Sequence, residues 1–285
     1  MTLSLNEQQA SRASNVAAAC LAFEKSVDYP LGVAIVEYHF GSGSADAVIE
    51  ALALFQNDDG GFGKGLEVDI AAPVSNPFAA RLAMQVLLSL RDRPDHALVD
   101  QLANWLTTNQ HEDGDWHFSD EVKAGDLAPW FAGWTFPSLI PSCSIVGLGS
   151  RLGLLTEPTI ERSATLFDAM ATPELARNAD FYGLLPYCEY VPALRHPQRD
   201  AFIDAIAANI DATEYDDASH YLDHALGGGP DLISRLDHKR LSQMIDQLLE
   251  EPQADGGWPN PYSEAWRPFA SAASIMTLSR LKSGI

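Results

Sequence analysis

Two carboxylates stand two residues apart in the string Gly65-Leu66-Glu67-Val68-Asp69-Ile70-Ala71-Ala72-Pro73. On an extended stretch, Glu67 and Asp69 project to one side of the backbone. Crowded like charges raise the pKa of one member, so one acid stays protonated near neutrality. A protonated acid beside a carboxylate can deliver a proton to an alkene or a leaving group. The plainer role for the same pair is helix N-terminal stabilisation and solvated loop charge. A second acidic run, Glu214-Tyr215-Asp216-Asp217, opens an expected helix at 216–226. Acidic residues are common at helix starts because they complement the dipole there.

Aromatic side chains are the second chemical resource. Trp116, His117, Phe118, Trp130, Phe131, Trp134 and Phe136 crowd one irregular stretch. Aromatic faces stabilise cations, which makes Trp130 and Trp134 candidate ligand-lining residues, with Trp266 ahead of the last helix. Simple core or lid packing is the alternative. Tyr182, Tyr187 and His220 complete the candidate substrate-binding set. Asp217, His220 and His224 share one face of the expected helix, and a His pair four residues apart can hold zinc. No Glu follows the first His and no distant third ligand stands out, so no metal site is expected. No cofactor is expected either, with magnesium and zinc left open. Cys20, Cys143 and Cys188 are odd in number and far apart, forming neither a metal-type pair nor a disulfide framework.

Helices must position these groups. Helical periodicity covers residues 5–25, 45–56, 75–91, 95–109, 137–152, 158–171, 181–194, 197–210, 216–226, 238–250 and 264–282. Ala, Leu, Gln and Glu fill them, and the alternation of β-branched residues that marks strands is nearly absent. Connections rich in Gly, Pro and Asp supply helix stops. Gly227-Gly228-Gly229-Pro230 reads as a loop. Residues 112–136 form the longest irregular stretch, aromatic enough to be a packed functional loop. No linker divides the chain, so residues 1–285 read as one domain.

Composition narrows the partners. Hydrophobic residues make up 46% of 285, enough for a sizeable core. Eighteen Lys and Arg against 39 Asp and Glu give a formal charge of −21, which repels nucleic acid and anionic membranes. The polar start has no basic n-region before an apolar run. Apolar stretches such as 16–23 are too short to span a bilayer. The expected setting is cytoplasmic, without a transmembrane segment, and the oligomeric state stays open. No Gly-x-Ser-x-Gly, P-loop or dinucleotide fingerprint occurs.

The strongest signal is a repeated turn. Gln56-Asn57-Asp58-Asp59-Gly60-Gly61-Phe62, Gln110-His111-Glu112-Asp113-Gly114-Asp115-Trp116 and Asp255-Gly256-Gly257-Trp258 share one pattern, with Gln253 displaced by one residue in the last. Asp59 and Asp113 lie 54 residues apart, and Asp113 and Asp255 lie 142 apart, room for degenerate copies between. Repeats of about fifty residues describe stacked helical hairpins. Asp-Gly supplies the left-handed geometry that ends a helix. The Gln side chain can satisfy free backbone groups, and the closing aromatic seals the turn. Phe62, Trp116 and Trp258 are therefore expected to be structural staples.

Trp105-Leu106 followed by Gln110, Gly114 and Trp116 resembles the glutamine–tryptophan motif of squalene–hopene-type cyclases, with Gln101-Leu102 standing where that motif has a basic-small pair. The first turn resembles the Asp-Gly-Gly-Phe-Gly turns of protein prenyltransferase β subunits. The longer string from Phe55 to Pro73 is similar to a group of uncharacterised bacterial single-domain repeat proteins. The likeness covers residues 50–135 and 244–282. It implies an all-α fold, a single-domain α/α toroid of about six inner and outer helical hairpins, with an apolar cavity for an isoprenoid. It also implies a role for the second acidic run. That run resembles the Asp-x-Asp-Asp motif of class II terpene cyclases, with Glu214 in the first Asp position, Asp216 as donor and Asp217 in support. Asp180-Phe181-Tyr182-Gly183 resembles the prenyltransferase segment carrying a zinc-binding His, but Gly183 replaces that His, which argues against zinc-dependent thiol alkylation.

Three functions compete. The first is a terpenoid-cyclase-like protein that binds an isoprenoid in a central apolar cavity and protonates it for cyclisation or isomerisation. The second is a carbohydrate-active α/α toroid using Glu67, Asp69, Asp126 and the tryptophans. The third is a non-catalytic isoprenoid- or protein-binding toroid.

Overall fold

The computed structural model describes residues 3–91 and 96–284. Among them the chain is all-helical, with sixteen α-helices, no strand and two isolated bridges, Gln56–Phe62 and Ile70–Leu127. In chain order the first eight helices are α1 (Glu7–Ser26), α2 (Pro30–Phe40), α3 (Ala45–Ala53), α4 (Pro77–Ser89), α5 (Ala97–Asn109), α6 (Asp120–Ala124), α7 (Pro129–Ala132) and α8 (Leu139–Leu152). The remainder are α9 (Glu157–Met170), α10 (Pro173–Arg177), α11 (Phe181–Tyr190), α12 (Arg199–Ala212), α13 (Ala218–Gly227), α14 (Gly229–Ile233), α15 (His238–Leu248) and α16 (Arg267–Ser283). None is long and apolar enough to cross a membrane.

The contacts fall into two compact units. One comprises Met1–Leu52, Glu214–Asp223 and Asp237–Ile285. There α1, α2 and α16 pack on one another. A full capping box starts α1: Asn6 accepts from the Gln9 N–H and Gln9 accepts from the Asn6 N–H. The side chains of Gln9 and Arg12 then hold Asp246 of α15, at 3.1 and 3.3 Å. Gly32 of α2 lies against the Glu24 carboxyl of α1, which is fully buried.

The second unit comprises Ala53–Thr213 and His224–Leu236. Its centre is α8, packed by α4, α9 and α11. Residues 141–149 of α8 are all buried, as a helix covered on every side requires. Small residues at Ser142, Ser144, Gly147 and Gly149 let its neighbours come close. Asn76 caps α4 by accepting the Ala79 N–H, and Pro77 sets the first helical turn.

The three repeated turns share one hydrogen-bond scheme. Asn57, His111 and Gln253 each donate to the residue four positions on, and Gly60, Gly114 and Gly256 each donate back to them. Asp59, Asp113 and Asp255 accept the N–H two residues ahead. The three glycines have φ between +88 and +92 and press on helix carbonyls: Gln101 of α5, Arg162 of α9 and Ala19 of α1. This register agrees with the expected alignment of the third turn, in which the glutamine is displaced by one residue. Gln253 is the counterpart of Asn57 and His111, and Pro252 stands where Gln56 and Gln110 do.

The glutamine side chains satisfy backbone groups, though those of the turn itself and of a later helix rather than those of the helix end they follow. Gln56 donates to the carbonyls of Gly60 and Leu98, and Gln110 to those of Gly114 and Thr159. Each therefore ties its turn to a later helix. Phe62, Trp116 and Trp258 close the turns fully buried, as expected. The two indoles donate to the carbonyls ten residues earlier, Leu106 and Leu248, at 2.9 and 3.0 Å.

Most expected helices appear within a few residues of their expected bounds. The expected start at residue 95 lies outside the described residues. Four regions differ. Residues 30–40 form α2, which was not among the expected helices. The irregular stretch 112–136 contains α6 and α7, and α10 lies between α9 and α11. The Gly227–Pro230 loop overlaps the start of α14.

Candidate active site

A closed loop between turn one and α4 carries the first acidic pair. Its ends are joined by Lys64 N–H to the Pro73 carbonyl (3.0 Å) and by Asn76 N–H to the Phe62 carbonyl (2.9 Å). Gly63 sits where any Cβ would overlap the Val74 carbonyl. Inside this loop residues 67–70 form a turn rather than the expected extended stretch, with the Ile70 N–H donating to the Glu67 carbonyl at 3.2 Å. The Glu67 carboxyl reaches forward and accepts the Asp69 N–H at 3.1 Å. A local side-chain acceptor of this kind competes with extended structure. The pair stays together, but Glu67 is buried at 6% exposure while Asp69 is half-buried.

Burial dominates the electrostatics. It pushes the Glu67 acid up to about 8, with the Asp69 charge adding to the rise. The Asp69 N–H and the Arg81 cation oppose it. Arg81 extends from α4 and grips Glu189 of α11 in a two-point pair, Nε to Oε2 at 2.9 Å and Nη2 to Oε1 at 2.8 Å. Gln85, one turn further along α4, donates to the same Oε1 at 3.1 Å. Arg81, Gln85 and Glu189 carry no sequence spacing that links them to Glu67.

The aromatic loop packs beside this region. Ala71 N–H donates to the Asp126 carbonyl and Ala128 N–H to that of Asp69, which anchors the loop backbone to the acidic segment. Ile70, Phe78, Phe118, Val122 and Phe131 form a buried cluster. Trp134 is half-buried against it, 5.3 Å from the Phe78 ring, whereas Trp130 is 47% exposed. Tyr187 is buried in the same unit among Phe167 and Phe202, and Tyr182 is exposed next to Phe181.

The second acidic run belongs to the other unit. Glu214 and Asp216 are exposed. Asp217 accepts the His220 N–H at 2.8 Å and the His220 ring Nδ1 at 2.6 Å. Burial alone would raise Asp217, but the His220 contacts outweigh it and hold the acid below its usual range. His220 is raised correspondingly, against the effect of burial. Asp217 thus works as a helix-start acceptor paired with an imidazole. Tyr262 lies 5.8 Å from the His220 ring, and Trp266 lies 6.1 Å from Phe269. His224, on the same helix, packs against Phe181 at 4.8 Å. Among the described residues no three His, Cys, Asp or Glu side chains are arranged to hold a metal ion.

Two further features lie between turns one and two. A groove of about 700 Å³ is lined by Asp58, Asp59, His111, His117, Asp120 and Glu121, among others. The His111 and His117 rings stack at 3.8 Å, and His117 pairs with Asp113 at 2.9 Å. In the second turn itself Asp115 is fully buried, accepting the Trp116 and Ser138 N–H groups at 2.8 and 2.7 Å. Burial lifts this acid to about 7 despite both bonds. Its sequence signal is a departure: Gly61 and Gly257 fill the same place in the other turns. No protein-family profile matches this chain, and no curated protein matches it.

Proposed function

We propose that the chain is a terpenoid-cyclase-like protein that binds an isoprenoid-type ligand and starts its isomerisation or cyclisation with a proton from Glu67. One arrangement carries the reading: the Glu67 carboxyl is buried, which pushes the acid up to about 8, and it accepts the Asp69 N–H next to the cluster of Ile70, Phe78, Phe118 and Phe131. A group poised in this way is a general acid. The Glu67 O–H bond breaks, a C–H bond forms on the alkene, and the cation left behind is stabilised by aromatic faces. Loss of a proton from the rearranged cation back to the carboxylate closes the cycle, so no co-reactant is consumed. Asp216 is the alternative donor, supported by its resemblance to a known motif but exposed.

Purified protein incubated with prenyl diphosphates and squalene-type polyenes of graded length tests this reading. Turnover that survives Asp216→Asn and is lost in Glu67→Gln is expected. Absence of product at every chain length, with an unchanged lipid profile in a deletion strain, overturns it. A second reading, carbohydrate binding, is favoured by the acidic groove with its stacked imidazoles. Saturable binding of oligosaccharides, weakened by Asp59→Asn, would support that reading instead.

A further inference from the structure

The groove between the first two turns ends on a donor that the fold leaves unused. Its walls come from turn one, from α5 and from the segment that runs from turn two into α6. Trp105 of α5 lines it and is only 4% exposed. The indoles of Trp116 and Trp258 donate to carbonyls ten residues back. The Trp105 Nε1–H has no acceptor among the described residues. It stands beside Gly61, where an added Cβ would lie 2.5 Å from that nitrogen and 2.6 Å from the Ser75 Oγ. Ser75 is already committed, donating to Asp59 at 2.6 Å and accepting from Asn57 at 3.1 Å. A buried N–H without a partner is costly, so this donor suits an acceptor supplied from the groove.

The rim of the groove carries charge of one sign. Asp58 of turn one and Glu121 of α6 are exposed, and neither carboxylate has a partner among the described residues. Asp59 and Asp120 line the same groove, against one lysine, Lys123, which stands 3.9 Å from Asp120. A flat face completes it. His117 stacks on Phe136 at 4.8 Å and on His111 at 3.8 Å, which leaves His111 exposed at the end of the stack. A guanidinium meets both features, because it pairs with carboxylates through its fork and stacks on flat rings. The indole N–H calls for an acceptor and the carboxylates call for a cationic donor. An arginine-bearing peptide offers both. A polyamine lacks the acceptor, and a neutral oligosaccharide lacks the charge.

We propose that this groove docks a basic peptide segment: an arginine side chain pairs with Asp58 and Glu121 against the His111 ring, and a backbone carbonyl of the same segment accepts from the Trp105 indole. The site is independent of the Glu67 acid, and it competes with the oligosaccharide reading of the same groove.

The test titrates a capped peptide of alternating arginine and glycine into the full chain at about 150 mM salt, which screens exposed charges beyond ~8 Å. Calorimetry gives the affinity. The indole N–H and imidazole resonances give the place, with the Trp105 signal assigned by its loss in Trp105→Phe. Saturable binding that moves the Trp105 and His111 resonances is expected. Asp58→Asn combined with Glu121→Gln should weaken it about fivefold or more, and Trp105→Phe about threefold or more. Asp46→Asn combined with Glu50→Gln, two exposed acids of α3, removes the same charge elsewhere and should leave the affinity unchanged. Both members of the rim pair are exposed, so the test survives a Trp105→Phe chain that fails to fold. Absence of saturable binding overturns the proposal, and so does equal weakening by the two charge-removing pairs. Spermidine binding as tightly as the peptide would reduce the site to bulk charge. Tighter binding of a neutral glucose hexasaccharide, moving the same resonances, would give the groove to carbohydrate and likewise end the peptide reading.

Discussion

Gly147 of α8 lies directly beneath the backbone carbonyl of Glu189 in α11; a Cβ built on Gly147 would stand 1.8 Å from that oxygen. The same residue thus meets α8 through its backbone and α4 through its side-chain grip on Arg81. The α8–α11 contact fixes where the Arg81 partner stands.

Gly147→Ala should consequently destabilise the protein far more than an ordinary helical Gly→Ala change. Ala is favoured over Gly inside a helix by roughly 1 kcal/mol. Here the obstacle is backbone, which no side-chain rotation can move aside. Overpacking of this kind costs about 3 kcal/mol. Urea unfolding should show that loss in Gly147→Ala, against almost none in Gly133→Ala, where nothing lies within 4 Å of the added carbon. Equal midpoints for the two variants would mean that α8 and α11 are not in backbone contact.

How far the sequence foretold this arrangement depends on how local each signal was. The turn motif was legible because its chemistry lies within seven consecutive residues, from Gln56 to Phe62. Its third copy was legible through Asp255-Gly256-Gly257-Trp258 although Pro252 stands in the place of the glutamine, because the backbone scheme persists there. Helix α2 was missed because Val33, Ile35, Val36, Tyr38 and Phe40 favour strands. Burial of Leu31, Gly32, Ile35 and Val36 along one face overrides that preference. Glu67 and Asp69 were visible as a pair, but their extended geometry gave way to a turn that Glu67 itself caps. Glu189 stands 122 residues from Glu67 in the chain, and no periodicity points from one to the other.

Three buried acids predict an unusual dependence of stability on pH. Glu24 and Glu67 are lifted to about 8 and Asp115 to about 7, chiefly by burial. Below their unfolded values, near 4, both folded and unfolded chains hold these protons and the contribution to stability is full. As pH rises the unfolded chain releases them first, so stability falls until the folded acids ionise near 7 to 8. His220, raised in the folded state, acts in the same direction through neutrality. His117, lowered mainly by burial, acts in the opposite one. Asp217, held low, loses its contribution only on strong acidification, outside this window. Chemical denaturation should therefore give a higher midpoint at pH 5 than at pH 8. Glu24→Gln, neutral and nearly isosteric against Gly32, should flatten the slope. A midpoint that climbs between pH 5 and 8 would contradict the burial of these acids.

The third turn makes the last case, because it does without the glutamine that ties the other two. Gln110 donates to Gly114, Thr159 and Ser163, and its carbonyl accepts from Arg162 at 2.8 Å. At Pro252 none of this is available. Arg267 at the start of α16 takes over: both oxygens of Asp255 accept from its Nη2 at 2.9 Å, and its Nε donates to the Trp258 carbonyl. Its guanidinium also covers the Phe23 ring at 4.9 Å. Bonds to charged groups contribute more than neutral ones, and a guanidinium over a ring adds to them. Arg267→Ala should cost about 2 kcal/mol or more, and Arg267→Lys should recover little, because the fork and the stacking are both lost. Gln110→Ala should cost about 1 to 2 kcal/mol through the stranded carbonyls. If thermal melts rank Gln110→Ala as the more damaging change, or if Lys fully replaces Arg267, the third turn is held by something other than this side chain.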